Sequence, residues 1–384
     1  MQPTALQGQR EASNERAIRR PFRVLCLDGG GMRGVYTATF ISRLSEGFSK
    51  NRGVGELDLG AGFNLIVGTS TGAIIGCALA VGVAPKRVIE LYRTHGSQIF
   101  PRKLPSSMNF GLLVDILCRK SAVKSGESAL RRALTQQFQD ITIAEVYLVR
   151  QIALAIPAVD IATHRSWVFK TPHLLTTNHR DDDVTLVDAC LATSAAPLFR
   201  SLAVVSGAPP NAKRIFADGG LWANNPVLVA LIEALQLAPP DQPIQIFCLG
   251  TCPLPAGEDV AQTQPHRGLF DWKFGGEAAK LAIDAQEFAF DNMAKMLARH
   301  VSRECAIVRF PRKDVPASLM KYLDLDDTRA AAADALGSQA STDADLVNSI
   351  CSDPNDSSGR LIKELFMGLP ELSDAPKFRE EKHG

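Results

Sequence analysis

The sequence lacks the features that mark secreted and disulfide-bonded proteins. Its eight cysteines are scattered, with no Cys-x-x-Cys pair and no histidine at zinc-finger spacing. This pattern predicts reduced, mostly buried thiols and no metal site. The first twenty residues mix acidic and basic side chains and contain no apolar run of signal-peptide length. We therefore expect a cytoplasmic protein that begins with a flexible arm, residues 1–20.

An excess of charge of one sign is also missing. Lysine and arginine number 42 and aspartate and glutamate number 41, which leaves a net charge of +1. No overall field attracts nucleic acid or an anionic membrane, so we expect neither DNA nor RNA as a partner. Glycine (29) and proline (22) occur at ordinary frequency and 46% of the residues are hydrophobic. This composition excludes a collagen-like or disordered chain and predicts a substantial core.

One stretch without any charged residue, 59–85, is long enough to raise the question of a membrane span. Its glycines, and the polar residues Thr69, Ser70 and Thr71 at its middle, instead favour a buried strand, a sharp turn and a buried helix. A strand and a helix precede it, so the order is typical of a βαβ unit. Such a unit predicts a parallel sheet with right-handed crossovers.

The same criteria assign elements along the rest of the chain. We predict strands at 22–27, 63–67, 151–160, 167–170, 214–217 and 244–249. We predict helices at 35–48, 73–81, 184–193, 226–237 and 277–299, with a further one starting at Pro85. No internal repeat or clear linker divides these elements. They predict one α/β domain with appended helices.

The chain after the last strand is predicted to be an extension of that domain. We assign residues 21–250 to the core, 251–372 to a C-terminal helical extension packed on it, and 373–384 to a polar tail. Residues 324–345 are acidic or polar and are expected to be peripheral. In the helix at 277–299 one stripe is expected to fill the core. It contains Leu281, Ala285, Ala289, Met293 and Met296.

The first loop with residues suited to catalysis follows the first predicted strand. It consists of Gly29, Gly30, Gly31, Met32, Arg33 and Gly34. A glycine-rich loop before a helix can bind a pyrophosphate, as in dinucleotide-binding proteins, or form an oxyanion hole. The acid that dinucleotide-binding folds place after the next strand is missing here, which favours the oxyanion hole. A nucleotide-binding protein and a plain tight turn stay as alternatives.

The second loop follows the next predicted strand and has the pattern G-x-S-x-G. It consists of Gly68, Thr69, Ser70, Thr71 and Gly72. In a nucleophile elbow the serine adopts a strained backbone on a sharp turn, so the flanking positions need glycine. The helix that follows presents its positive end to the serine and favours a developing anion by about 1 kcal/mol. The loop predicts that Ser70 is a nucleophile.

A serine nucleophile needs a base, and the histidines offer no clear candidate. None follows a buried strand in a turn, although His266 comes nearest. Asp218 starts a turn with Gly219 and Gly220 directly after an apolar strand, where desolvation would raise its pKa toward the working range of a general base. The competing interpretation is a histidine-assisted α/β-hydrolase that uses Ser70, Asp218 and either His266 or His300.

Together the three loops resemble the motifs of the patatin-like phospholipases. That family has a D-G-G-G-x-R/K-G loop, a G-x-S-x-G elbow and a D-G-G/A turn, and this sequence has DGGGMRG, GTSTG and DGG in that order. Its ATSAAP segment, 192–197, is similar to the family's A-[ST]-x-A-x-P. The resemblance runs from about Phe22 to Leu249, and no motif position departs from it.

The resemblance implies a three-layer α/β sandwich with a mostly parallel central sheet flanked by helices. It implies that Ser70 and Asp218 form a dyad without histidine and that the glycine-rich loop is the oxyanion hole. Such an enzyme hydrolyses acyl esters of membrane phospholipids without a metal or other cofactor, here at the inner face of the membrane. Bacterial members include antiphage effectors that a cyclic nucleotide activates, so the family suggests a cyclic nucleotide partner and a homo-oligomer.

Two further segments have more than one interpretation. The stretch from Gln98 to Lys124 interleaves apolar and basic residues, which fits either a lid that contacts the membrane or a core helix with a solvated basic face. Arg33 is expected to pair with Asp28, or else to contact a lipid phosphate. A lipid-binding protein with a dead site is disfavoured because both dyad residues are intact.

Overall fold

The computed structural model describes residues 20–103, 110–207, 212–252, 257, 265–268, 271–272, 276–311 and 315–378. The predicted arm lies outside these ranges apart from Arg20, and so does the end of the polar tail after residue 378. The boundaries between arm, core, extension and tail stay predictions.

The centre of the molecule is one mixed sheet. Its strand order is β5-β6-β3-β2-β1-β7-β8, and β4 pairs with the free edge of β3. The strands are β1 (Phe22–Leu27), β2 (Leu65–Gly68), β3 (Ala153–Asp160), β4 (Arg165–Lys170), β5 (Ala203–Gly207), β6 (Ala212–Asp218), β7 (Ile244–Leu249) and β8 (Cys305–Phe310). The neighbouring strands β3, β2, β1, β7 and β8 are parallel to one another. Strands β4 and β6 pair antiparallel with β3, and β5 pairs antiparallel with β6. The mostly parallel sheet is confirmed, and β5 and β8 are additions to the predicted strands.

Helices cover both faces of the sheet. They are α1 (Gly34–Arg52), α2 (Thr71–Ala80), α3 (Pro85–Ile99), α4 (Phe110–Phe138), α5 (Ile143–Arg150), α6 (Leu186–Thr193), α7 (Gly220–Ala223), α8 (Val227–Leu237), α9 (Gly276–His300), α10 (Ala330–Ile350) and α11 (Ser357–Met367). In β1, Leu25 and Leu27 pack toward the layer that contains α1 and α2, and Val24 and Cys26 pack toward α8. Because both faces of β1 are covered, its sequence is apolar apart from Arg23 near its start. The three-layer α/β sandwich is confirmed.

The stripe predicted for α9 is not a core stripe. Leu281 is 56% exposed and Met296 is 61% exposed, and Phe288 between them is 72% exposed. The helix buries its opposite face, where Ala294 packs against the layer of α8. The periodicity correctly predicted a helix. This helix has two faces with apolar residues, and the face with the smaller side chains, including Ala294, is the buried one.

The prediction that residues 324–345 are peripheral is wrong. Helix α10 packs against α1 through a row of small and branched side chains spaced at helical intervals. They are Ala333, Leu336, Ala340, Ala344 and Val347. Alanine lets two helices approach closely while the polar residues of α10 stay on its outer face, so a polar composition hid a buried stripe.

The stretch from Gln98 to Lys124 lies partly outside the described residues, including the side chains from 104 to 117. Where it is described, Arg119 donates hydrogen bonds to the carbonyls of Arg102 and Lys103. Lys103 forms an ion pair with Asp324. These basic groups are engaged within the protein, and the lid stays a hypothesis. Among the described residues, no helix combines the length and hydropathy needed to cross a membrane.

Candidate active site

Ser70 sits at the sharp turn between β2 and α2. Its backbone has φ 53° and ψ −121°, a strained combination for a residue with a side chain. A Cβ on Gly68 would lie 2.6 Å from the Gly72 backbone, and one on Gly72 would lie 2.3 Å from the carbonyl oxygen of Leu27. The two glycines are therefore required by close backbone approach. This is the geometry that the G-x-S-x-G pattern predicts.

Two threonine hydroxyl groups connect this turn to neighbouring parts of the chain. The Ser70 N–H donates to Oγ1 of Thr193 at the end of α6 (3.0 Å), and Oγ1 of Thr69 donates to the carbonyl of Ala223 (2.6 Å). Thr193 belongs to the ATSAAP segment, whose role at the site was not predicted from the sequence. Its hydroxyl satisfies a backbone donor that the strained turn leaves without a regular partner.

Asp218 lies beside Ser70 at the end of β6. Strand β3 continues past the end of β2, and Asp218 pairs in register with its residue Ala158. The Ser70 side chain is close enough to the Asp218 carboxylate to lower its pKa, and the Gly220 N–H donates to Oδ1 (2.6 Å). Burial raises the pKa of Asp218 to about 6, against the opposing effect of these two groups. The carboxylate is thus poised between its two protonation states near neutral pH.

The histidine-assisted alternative has no support in the geometry. His266 and His300 are exposed. The buried His173 is engaged elsewhere, with Thr171 and Glu233. No histidine in the described ranges is hydrogen-bonded to Ser70 or Asp218.

The glycine-rich loop runs alongside Ser70. A Cβ on Gly29 would come within 3.5 Å of the Ser70 Cβ, and Thr71 Oγ1 donates to the Gly31 carbonyl (2.8 Å). Gly31 has φ +55°, and a Cβ there would lie 2.4 Å from the carbonyl oxygen of Leu325. This position therefore needs glycine both for its backbone conformation and for space.

Four of the six N–H groups of this loop are already engaged. Gly29 donates to the carbonyl of Asn224 and Met32 to that of Leu325, both at 2.9 Å. Arg33 and Gly34 donate within the short helical turn at 31–33. No hydrogen bond in the described part of the chain engages the N–H of Gly30 or Gly31. Only these two donors of the predicted set are free to meet an oxyanion.

The loop is anchored by an ion pair that differs from the expected one. Asp28 pairs with Arg309 of β8 and not with Arg33, whose Nε lies 3.4 Å from the Gly30 carbonyl. Arg309 also donates to Asn225 and to Asp291. Strand β8 was absent from the predicted elements, so its arginine could not be proposed as a partner. The sequence has no local signal for a contact across 281 positions.

A second carboxyl group approaches the loop through Asn224. Its Nδ2 donates both to the Gly29 carbonyl (3.3 Å) and to Glu287 of α9. Burial and the charge of Asp28 raise the pKa of Glu287 to about 7. Glu287 reaches the loop through Asn224 and is not hydrogen-bonded to Ser70, so we assign it to the support of the loop. In the described residues, no cluster of three His, Cys, Asp or Glu side chains could hold a metal.

The sheet, the serine elbow and the glycine-rich loop define a lipid acyl hydrolase fold, and comparison with known proteins identifies the family. A family model described as patatin-like phospholipase matches residues 25–231, more than half of the chain. The chain belongs to the patatin-like phospholipase family and is a lipid acyl hydrolase.

The relatives of this chain include several bacterial phospholipases. A cGAMP-activated phospholipase of Pseudomonas aeruginosa is 32% identical over 280 residues, covering 71% of this chain and 74% of that protein. A cGAMP-activated phospholipase of Vibrio cholerae is 27% identical, covering 84% and 90%. A cUMP-AMP-activated phospholipase of Escherichia coli is 30% identical, covering 55% and 58%.

Proposed function

We propose that Ser70 and Asp218 hydrolyse phospholipid acyl esters as a two-residue catalytic unit. The observation that carries the proposal is the proximity of the Ser70 side chain to a buried carboxylate whose pKa it lowers. Asp218 accepts the hydroxyl proton as Oγ attacks the acyl carbon, and the N–H groups of Gly30 and Gly31 stabilise the oxyanion. The tetrahedral intermediate collapses, and Asp218 returns the proton to the departing glycerol oxygen.

The second half of the cycle uses the same groups. Asp218 takes a proton from a water molecule, whose oxygen attacks the acyl-serine ester. Collapse of the second oxyanion releases the fatty acid, and Ser70 recovers its proton from Asp218. A carboxylate with a pKa of about 6 can perform both transfers near neutral pH, because its two protonation states lie close in free energy.

The substrate is proposed to be phospholipid in a membrane surface. Three segments that adjoin the site carry exposed apolar side chains: Leu198 follows the ATSAAP segment, Leu221 follows the Asp-Gly-Gly turn in α7, and Phe288 lies on α9. Helix α9 contacts α7 and is tied to it by a hydrogen bond from the Asn224 N–H to Gln286. An apolar rim around a lipase site fits the interfacial region of a bilayer.

Removing the apolar groups of α9 is expected to impair action on vesicles alone. We expect Leu281→Ser with Phe288→Ser to lower fatty-acid release from phospholipid vesicles by at least about tenfold, because less apolar area enters the bilayer. Hydrolysis of a short soluble ester should stay within about twofold of wild type. The matched control is Leu346→Ser with Met367→Ser, which changes two exposed apolar residues on α10 and α11. Equal losses in the two double variants would contradict the docking role of α9.

The activity is proposed to be switched on by a cyclic nucleotide, as part of antiviral defence. The support is that the relatives described above are activated by cGAMP or cUMP-AMP. We expect fatty-acid release from vesicles to rise at least about tenfold with one cyclic nucleotide and not with its linear hydrolysis product. The Ser70→Ala variant should release nothing under the same conditions. A full rate without any nucleotide would refute the activation, and an active Ser70→Ala would refute the nucleophile.

The pH profile of the enzyme should follow the Asp218 carboxyl. Since the base must be ionised, we expect kcat/KM on a soluble ester to rise with pH through an apparent pKa of about 6 and then to level off. Glu287→Gln is the control, because it removes another carboxyl beside the loop whose pKa is raised to near neutral pH, about 7. The rise should persist in that variant. A profile that is flat from about pH 5 to 8 would exclude Asp218 as the base.

A further inference from the structure

Arg200 is a buried cation with no carboxylate partner among the described residues. Its residue is only 7% exposed. Arg150 and Arg309 are paired with Asp58 and Asp28, and the buried Arg33 lies near the Gly30 carbonyl. The Arg200 guanidinium forms no hydrogen bond or ion pair with the described residues. It lies over the ring of Phe100, 5.7 Å from the centroid. A desolvated guanidinium in this position is costly unless an anion meets it.

Arg200 lies on the Asp218 side of the active site. It follows the ATSAAP segment by three positions, and within that segment the Ala195 carbonyl accepts the N–H of Asp218 (3.0 Å). Arg200 lowers the pKa of Asp218, and burial lowers the pKa of Arg200 itself to about 10. Tyr92 is close enough to Arg200 to affect its pKa, and its hydroxyl donates a hydrogen bond to Thr71 next to the nucleophile (3.2 Å).

The acidic side chains around Arg200 have other roles. Glu127 influences Arg200 electrostatically but forms its ion pair with Arg131. Asp218 is already occupied by Ser70 and by the Gly220 N–H. Within the described part of the chain, the donors of Arg200 are therefore available to a group that comes from outside the protein.

We propose that Arg200 binds the phosphate of the glycerophospholipid substrate. Phosphate is a ligand that the planar fork of a guanidinium binds with two parallel hydrogen bonds, and stacking on an aromatic ring holds that fork in one plane. In the substrate the phosphate is on the same glycerol as the scissile ester, so the anion enters the site with the acyl group. Arg200 then determines specificity for phospholipids over neutral glycerides.

The proposal rests on the proposed hydrolase site and is tested by comparing two substrates. Diacylglycerol and a phospholipid with the same acyl chains are presented in identical nonionic mixed micelles, at a saturating concentration of whichever cyclic nucleotide activates the wild type. For Arg200→Gln we expect kcat/KM to fall about a hundredfold on the phospholipid, mainly through KM, and to stay within about threefold on diacylglycerol. Arg200→Lys should recover part of the loss. Arg43→Gln, at an exposed ion pair, is the matched control.

The outcomes separate phosphate binding from other roles of Arg200. Equal losses on both substrates would show that Arg200 only positions Asp218, and no loss on either would also overturn the proposal. Since a cyclic nucleotide also carries phosphate, its binding to Arg200→Gln is measured directly, and a weakened nucleotide affinity with an unchanged substrate ratio would assign the arginine to the activator. The proposed dyad is tested separately, since an active Ser70→Ala variant would refute it. That outcome would not change the ratio of kcat/KM on phospholipid to kcat/KM on diacylglycerol, which tests Arg200.

A second measurement avoids the variants. If Arg200→Gln does not fold, glycerol 3-phosphate and glycerol are compared as inhibitors of soluble ester hydrolysis by the wild type. We expect glycerol 3-phosphate to compete at least about tenfold more strongly than glycerol, because only the phosphate ester engages the guanidinium. Equal inhibition by the two compounds would overturn the proposal.

Discussion

Replacing Asp218 by asparagine is expected to abolish hydrolysis and to stabilise the fold. Asparagine has nearly the same shape and can keep the hydrogen bond from the Gly220 N–H, but it cannot accept the serine proton. We expect kcat to fall about 10³-fold or more, the usual contribution of a positioned base. Fatty-acid release under activating conditions measures this loss.

The expected gain in stability follows from the burial of Asp218. Its pKa of about 6, against an ordinary 3.8, means that ionising this carboxyl at neutral pH costs the folded state about 3 kcal/mol. Because this pKa is higher in the folded state than in the unfolded state, the free energy of unfolding decreases as the pH rises from about 4 to 6. Asp218→Asn should therefore unfold at higher urea concentration than wild type at pH 7, and the difference should shrink as the pH falls toward 4.

The nucleophile variant is the control for this prediction. Ser70→Ala should be at least as inactive as Asp218→Asn, but it retains the buried charge and so should lack the pH-dependent gain. The double variant should be no less active than Ser70→Ala alone, because the two residues act as one unit. If Asp218→Asn keeps more than about a tenth of the activity, another group is the base.

The loops of the site were predictable from the sequence because each follows a buried strand. Parallel strands β1 and β2 end at one edge of the sheet, so the glycine-rich loop and Ser70 are neighbours by topology alone. Asp218 is different, since β6 runs antiparallel to β3 and meets only the end of that strand. Its proximity to Ser70 depends on how far β3 extends beyond β2. The family resemblance, and not the hydrophobic pattern, predicted that contact.

The supporting contacts could not be predicted because they join distant parts of the chain. The carbonyls of Asn224 and Leu325 accept the N–H groups of Gly29 and Met32, which leaves four of the six predicted oxyanion donors. The local hydrogen bonds of Arg33 and Gly34 reduce that number to two. Leu325 lies just before α10, in the stretch that composition marked as peripheral. A short-range pattern reports which face of a helix is apolar, but it does not report which of two candidate faces meets the sheet, as α9 shows.

Replacing Arg309 by methionine is expected to be the most destabilising single change at the anchor of the glycine-rich loop. The substitution keeps an apolar stem of similar length and removes the cation, so Asp28 is left buried with neither oxygen paired, since its Oδ1 has no partner in the described structure. Losing one member of a buried ion pair costs about 3–5 kcal/mol. Urea unfolding at neutral pH measures this cost. Arg43→Met, at an exposed pair with Asp345, should cost less than about 1 kcal/mol.

The pH dependence and a double variant distinguish a lost charge partner from lost packing. Burial raises the pKa of Asp28 and Arg309 opposes that rise, so removing Arg309 should raise the pKa further. At low pH the Asp28 carboxyl is protonated and has no charge to desolvate. The loss of unfolding free energy in Arg309→Met should therefore become smaller as the pH falls. Adding Asp28→Asn should recover at least about half of the lost stability, because an amide carries no charge to desolvate. A deficit that is constant with pH and is not relieved by Asp28→Asn would mean that Arg309 stabilises the loop through its packing and not through the charge of Asp28.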